Sequence, residues 1–102
     1  MRFLFKISMP VVAGNQAAKK DGFRVIQSIL DQQKPEATYF AAQDGKRTAF
    51  LVMNMKDASD IPGIAEPWFL ALNAAIEVTP VMVPDDLQKA GPAIAQAVKT
   101  HA

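Results

Sequence analysis

The chain has 102 residues, a formal net charge of +1 and no cysteine, and apolar residues account for 50% of it. This length suits a single domain over residues 1–102, and the lack of cysteine excludes disulfides, thiolate metal sites and thiol nucleophiles. The balanced charge argues against a nucleic-acid partner, and no apolar run reaches the roughly 18 residues that a membrane span needs.

The first predicted element is a β-strand over residues 2–9, where side chains alternate in the sense that a strand requires. Pro10 has no N–H group and ends the ladder there. This apolar start also resembles a secretion signal, but Lys6 and Pro10 interrupt it. A strand is therefore the better interpretation.

A helix is predicted next, over residues 16–33, because apolar side chains recur there at helical spacing. Residues 11–14 would connect the first strand to it, and Pro35 would end it by excluding the preceding residue from the helical region. Gly22 costs about 1 kcal/mol relative to alanine inside a helix, a penalty that burial of Phe23 can offset.

Two apolar runs, residues 37–43 and 46–55, flank Asp44-Gly45. This is the strongest short-range signal for a β-hairpin, because glycine accepts the positive φ that such turns require. The second of these strands is apolar on both faces, which carry Ala49, Leu51, Met53 and Met55 on one side and Thr48, Phe50, Val52 and Asn54 on the other.

The second half of the chain predicts a helix, a strand and a final helix. Apolar residues at spacings of three and four follow residue 61, and Pro67 within them predicts a kink or a restart, giving two short helices. Residues 75–83 form the last predicted strand, with Pro80 favouring an edge position. The final helix opens at Pro84 and is weakened at Gly91-Pro92.

This order predicts an α+β fold of the ferredoxin-like βαββαβ type, with an extra C-terminal helix. Its four-stranded antiparallel sheet would place the first and third strands in the centre and both main helices on one face. The other face would expose more apolar surface than a soluble monomer usually tolerates. A second copy is the simplest cover, so we expect a homodimer through the sheet faces.

The chain resembles the dimeric α/β-barrel superfamily in its element order over residues 1 to about 83. The segments 65–69 (AEPWF) and 77–82 (EVTPVM) are also similar to small uncharacterised bacterial proteins of that group. Characterised members include cofactor-free monooxygenases, muconolactone-type isomerases and haem-degrading enzymes. The resemblance implies a dimeric α/β barrel, whereas function does not follow from the fold.

Polar groups on the strands are the candidate ligand-binding residues of the barrel. Lys6 and Ser8 share one face of the first strand, and Glu77 lies on the neighbouring last strand, where it could pair with Lys6. Tyr39 and Asn54 could also point into the enclosed space, and a tyrosine hydroxyl could orient a ligand carbonyl.

The larger apolar side chains are predicted to lie either in the core or in the lining of the ligand site. Trp68 and Phe69 are predicted to pack beneath the second helix rather than to form a ligand platform. Met53, Met55 and Met82 would suit an adaptable apolar lining, since methionine fills irregular spaces.

Metal or cofactor chemistry has little support in the sequence. The only histidine, His101, lies at the frayed end of the chain, which departs from the haem-degrading relatives. The acidic pairs Asp57/Asp60 and Asp85/Asp86 lie at predicted helix starts, where carboxylates cap free N–H groups. We therefore expect no metal site and no cofactor.

Three functions follow as hypotheses. The first is a small cytoplasmic homodimer that binds an apolar or aromatic ligand between its two sheets. The second is a cofactor-independent monooxygenase- or isomerase-like enzyme that uses Tyr39, Asn54 or Lys6 to polarise its substrate. The third is a pure protein-interaction module that acts through the terminal helix.

Overall fold

The structure, a computed structural model, describes residues 1–102. The chain forms four strands and five helices, with one short 3-10 turn at Ala58–Asp60. The strands are β1 (Arg2–Ser8), β2 (Ala37–Gln43), β3 (Lys46–Asn54) and β4 (Ala75–Pro80). The helices are α1 (Val11–Asp21), α2 (Arg24–Gln33), α3 (Ile61–Leu72), α4 (Pro84–Lys89) and α5 (Gly91–His101).

The strands form one antiparallel sheet in the order β2-β3-β1-β4. This order confirms the predicted central position of the first and third strands and is consistent with a ferredoxin-like arrangement. The hairpin is also confirmed: Asp44 and Gly45 both have positive φ, at 54° and 72°. Positive φ at both central residues is the type I′ turn, whose twist matches that of the flanking strands.

Helices α1, α2 and α3 cover one face of the sheet, which we call the covered face. Alternate residues of β1 and β3, among them Phe5 and Leu51, pack against the helices there, and neither is exposed at all. Trp68 of α3 is equally buried in the same cluster. Burying one such side chain contributes about 1.5–3 kcal/mol. The sheet and its three helices therefore form a core on one side only.

The predicted single helix over residues 16–33 is wrong. The chain is helical from Val11, directly after Pro10, and the helix breaks at Gly22 and Phe23, which have φ values of 62° and 67°. The Gly22 N–H donates to the Ala18 carbonyl at 3.0 Å, and the Phe23 N–H donates to the Ala17 carbonyl at 3.3 Å. The bond from Gly22, which has a positive φ, to the carbonyl four residues back is that of an αL C-cap, so glycine here ends a helix rather than weakening one.

The predicted restart at Pro67 is also wrong, because α3 runs without interruption through it. Trp68 helps to hold this helix against α2: its Nε1–H donates to Gln33 Oε1 at 3.2 Å. The Gln33 amide in turn donates to the Ile64 carbonyl at 2.9 Å. The core position of Trp68 is confirmed, whereas Phe69 is 39% exposed and lies outside the core.

The C-terminal part extends away from the sheet. Strand β4 is an edge strand, as predicted, but it ends at Pro80 instead of residue 83. The final helix is divided into α4 and α5, and no residue of either is buried. The molecule measures 59 Å along its longest axis, and its 17.3 Å radius of gyration exceeds the roughly 13 Å of a compact chain this long.

The helices all lack the combination of length and apolar character that crossing a membrane requires.

Candidate functional site

The face of the sheet opposite the helices, which we call the open face, carries an ordered set of side chains. Lys6 of β1 is paired in register with Phe50 on one side and with Glu77 on the other. Phe50 is in turn paired with Tyr39. Because paired residues of an antiparallel sheet point to the same face, these four form one row, from Tyr39 at one edge to Glu77 at the other.

The rows on either side of this one differ in character. On one side Ala37, Val52 and Leu4 lie in line and form an apolar row. On the other side Ala41, Thr48 and Ser8 lie in line and are small or hydroxylic. The open face therefore has an apolar centre on Leu4, Phe50 and Val52, which are only partly buried, and polar groups around it.

All five residues predicted to line a ligand site lie on the open face. Tyr39, Lys6 and Glu77 share the central row, and Ser8 lies one row away. Asn54 lies four residues beyond Phe50 on β3, which is about 13 Å along a strand. Tyr39 and Lys6 can therefore contact the same small molecule across Phe50, while Asn54 lies near the far end of the face.

The Lys6–Glu77 pairing predicted from the sequence is confirmed in register, but the two charged groups form no ion pair. The one ion pair in the chain joins Arg2 to Glu36 at 2.8 Å, with further hydrogen bonds at 3.0 and 3.1 Å. These hydrogen bonds raise the pKa of Arg2 and lower that of Glu36. The pair links the start of β1 to the residue before β2, although β3 lies between these two strands.

The methionines do not line the open face as predicted. Met53 and Met55 are 6% and 3% exposed and belong to the core of the covered face. Met82 is 68% exposed but follows β4, beyond the sheet. The physical reason is that alternate residues of a strand point to the same face. Met53 lies two residues after Leu51 and therefore also points toward the helices.

A cleft of about 830 Å³ lies between the α1–α2 junction and the hairpin of β2 and β3. Its apolar lining includes Phe23, Ile26, Leu30 and Phe40, and its charged lining consists of Asp21, Arg24 and Arg47. The Arg47 guanidinium carbon lies 5.4 Å from the centre of the Phe23 ring. Its Nη1–H also donates to Asn15 Oδ1 at 3.0 Å.

This cleft is not among the sites predicted from the sequence. The apolar spacing places Phe23 inside a single helix over residues 16–33, and no sequence pattern singles out Arg47. A usable signal was present at Gly22, since glycine is the preferred residue just past a helix end. A helix end at that position would have placed Phe23 in a junction instead of a helix.

The acidic pairs act at helix starts, as predicted. Asp60 Oδ2 accepts the backbone N–H of Lys56 at 3.1 Å and that of Asp57 at 3.3 Å. Asp86 Oδ2 accepts the Val83 N–H at 3.0 Å, at the start of α4. No three His, Cys, Asp or Glu side chains converge in a way that could hold a metal ion. His101 is exposed near the end of α5.

Comparisons with known proteins show what this arrangement is similar to. No curated protein matches the chain. Among solved structures, a formyltetrahydrofolate deformylase from Pseudomonas putida KT2440 superposes with a TM-score of 0.48 at 17% sequence identity. The match covers 79% of this chain and 29% of that enzyme, so the chain spans under a third of the enzyme's length. Identity at this level does not indicate a shared function.

A family model described as a domain of unknown function, DUF3303, matches residues 1–96. The match includes the whole sheet, the three covering helices and α4. The chain therefore belongs to the DUF3303 family.

Proposed function

We propose that the protein acts as a homodimer in which two open faces pack together and enclose a small apolar or aromatic ligand. The observation that supports this is the apolar centre of the open face, on Leu4, Phe50 and Val52, which no helix of the chain covers. Exposed apolar patches of this kind mark surfaces that bind a partner or a ligand. Such a pair would resemble the dimeric α/β-barrel superfamily.

The pattern of polar groups supports a ligand within the dimer. Binding sites for small molecules are mostly apolar, with a few polar groups that fix the orientation of the ligand. Tyr39 and Lys6 flank Phe50 within the central row, one on each neighbouring strand. Ser8 and Glu77 add a hydroxyl and a carboxylate toward the β4 edge.

The mass of the particle tests the dimer. Sedimentation equilibrium at micromolar concentration should give about 22 kDa, twice the 11.1 kDa of one chain. Phe50→Lys should give about 11 kDa with an unchanged far-UV spectrum, because a buried unpaired ammonium is costly. The matched control is Leu70→Lys on α3, where the side chain is 79% exposed and lies away from the open face; it should stay dimeric. A wild-type mass near 11 kDa would reject the proposal.

A neutral fluorescent probe tests the enclosed ligand. N-phenyl-1-naphthylamine should gain fluorescence saturably with the wild type and with Leu70→Lys, and should lose that gain with Phe50→Lys. Tyr39→Phe should weaken binding without changing the mass. A dimer that leaves the probe unbound would retain the pairing but contradict the ligand site.

The terminal helix favours a second candidate function, a protein-interaction module. Ile94 and Val98 are one helical turn apart on α5, are 50% and 56% exposed, and do not belong to the core. If this helix forms the interface, the double variant Ile94→Glu/Val98→Glu should lower the particle mass, while Phe50→Lys should not. The leading proposal predicts the reverse result for both variants.

A further inference from the structure

The cleft between the α1–α2 junction and the hairpin has its aromatic and charged lining on the covered side of the sheet, and it also reaches Ala41 and Thr48 in the outer row of the open face. Phe40 of β2 lines the cleft. It lies two residues after Thr38, which is paired with the core residue Leu51, so Phe40 lies on the covered side of the sheet. Helix α2 contributes Ile26 and Leu30 to the same wall. Its volume of about 830 Å³ is within the range of small-molecule sites.

Arg47 is held in place at this cleft by three neighbours. Its guanidinium lies over the Phe23 ring, and its Nη1–H donates to Asn15 Oδ1 at 3.0 Å. A Cβ atom on Gly14 would lie 2.8 Å from Nη1, so the absence of a side chain there leaves room for the guanidinium. Arg47 is thus ordered before any ligand arrives, which lowers the entropic cost of binding.

No carboxylate of the chain neutralises Arg47. The single ion pair is Arg2–Glu36, at the other end of the strands. Asp21, the acid that lines the cleft, uses Oδ1 to accept the Arg24 backbone N–H at 3.0 Å. Two guanidinium groups against one carboxylate leave the lining with an excess of positive charge. Guanidinium groups favour carboxylates, which they can bind through two parallel hydrogen bonds.

Phe23 supplies the aromatic wall at the cost of backbone strain. A φ of 67° is unusual for a bulky residue with a Cβ atom, and strained residues concentrate at functional sites. Phe40 is 59% exposed on an edge strand and lines the same cleft. The rings of Phe23 and Phe40 therefore border a cleft in which the Arg47 guanidinium forms no ion pair with the chain.

We propose that this cleft binds a small aromatic carboxylate. The aromatic body would pack against Phe23, Phe40 and Leu30, and the carboxylate would accept hydrogen bonds from the free donors of Arg47. Phe40 and Arg47 lie on the covered side of the sheet, so the residues that would hold this ligand are different from those of the central row of the open face.

The test uses 1-naphthoate as the probe, measured by isothermal titration calorimetry on the full chain. The wild type should bind it saturably, and the neutral amide 1-naphthamide should bind at least about tenfold more weakly, because a hydrogen bond to a charged group is lost. Arg47→Met, which keeps an apolar stem, should weaken 1-naphthoate binding by a similar factor. The matched control, Lys46→Met, removes the adjacent cation outside the cleft and should leave affinity unchanged.

Gly14→Ala provides a second variant that keeps every charge. The added methyl group must displace the Arg47 guanidinium, so binding of 1-naphthoate should weaken while the far-UV spectrum stays the same. Equal affinity for the acid and the amide would overturn the proposal. So would wild-type affinity in both Arg47→Met and Gly14→Ala, or no saturable binding at millimolar 1-naphthoate.

Discussion

The two faces of the sheet are built from the same strands, yet helices bury only one of them. On the covered face, Phe5, Leu51 and Trp68 are fully buried within one chain. On the open face, Phe50 and Val52 stand on either side of Leu51 along β3 and are only partly buried. Apolar residues on a strand therefore do not by themselves indicate the core of one chain. Which face is covered depends on where the helices pack.

Trp68→Ala should give the largest effect, because it removes the largest side chain of the covered face. We expect the free energy of unfolding to fall by about 3–5 kcal/mol, from lost burial and the resulting cavity. The loss, measured by urea denaturation, should be the same at low and high protein concentration. Leu70→Ala, two residues away and 79% exposed, should change stability little. A small loss in Trp68→Ala would mean that the covered face is not a complete core.

Two glycines test the helical layer that covers this face, with effects of opposite sign. Gly22→Ala should destabilise the chain by about 1–2 kcal/mol, because alanine is disfavoured at a positive φ. Gly63→Ala, inside α3 with no atom within 4 Å of the added methyl group, should stabilise it by about 0.5–1 kcal/mol. Thermal denaturation of both variants measures the difference. A neutral Gly22→Ala would contradict the break between α1 and α2.

Glu36→Gln should give the smallest effect, at the end of the open face. Pairing with Arg2 lowers the pKa of Glu36 in the folded chain, so its contribution is present above the unfolded pKa and is lost as pH falls through the folded pKa. Wild type and variant should therefore differ most at neutral pH and converge in acid. The measurement is the thermal midpoint at stepwise lower pH.

Glu66→Gln serves as the control for this series, because Glu66 is exposed on α3 and makes no ion pair. Its midpoint should stay close to the wild-type value throughout. A constant difference between Glu36→Gln and wild type across the whole pH range would contradict a role for the ion pair.

The sheet could be predicted from the sequence because its signals are local. Alternation along β3 and the Asp44-Gly45 turn fix the hairpin and its register within a few residues. The side of the sheet that carries Lys6, Ser8 and Tyr39 follows from the same alternation. These positions needed no knowledge of distant contacts.

The helical layer and the cleft were harder to predict because opposing effects are close in size. At Gly22, the apolar stripe favours a continuous helix, while glycine favours an end, and the local cap prevails. At Pro67, packing of Trp68 and its neighbours outweighs the loss of one helical hydrogen bond. Arg47 meets Asn15 across a separation of 32 residues, which no local pattern encodes.

Helix α5 projects from the rest of the chain with no buried residue. A helix of eleven residues with no buried side chain is only marginally stable in water, so its backbone amides should exchange with solvent almost as fast as those of an unfolded peptide. Slow exchange would arise only when another surface packs against Ile94 and Val98. The tail thus serves as a natural reporter of assembly, readable by deuterium uptake without any label or substitution.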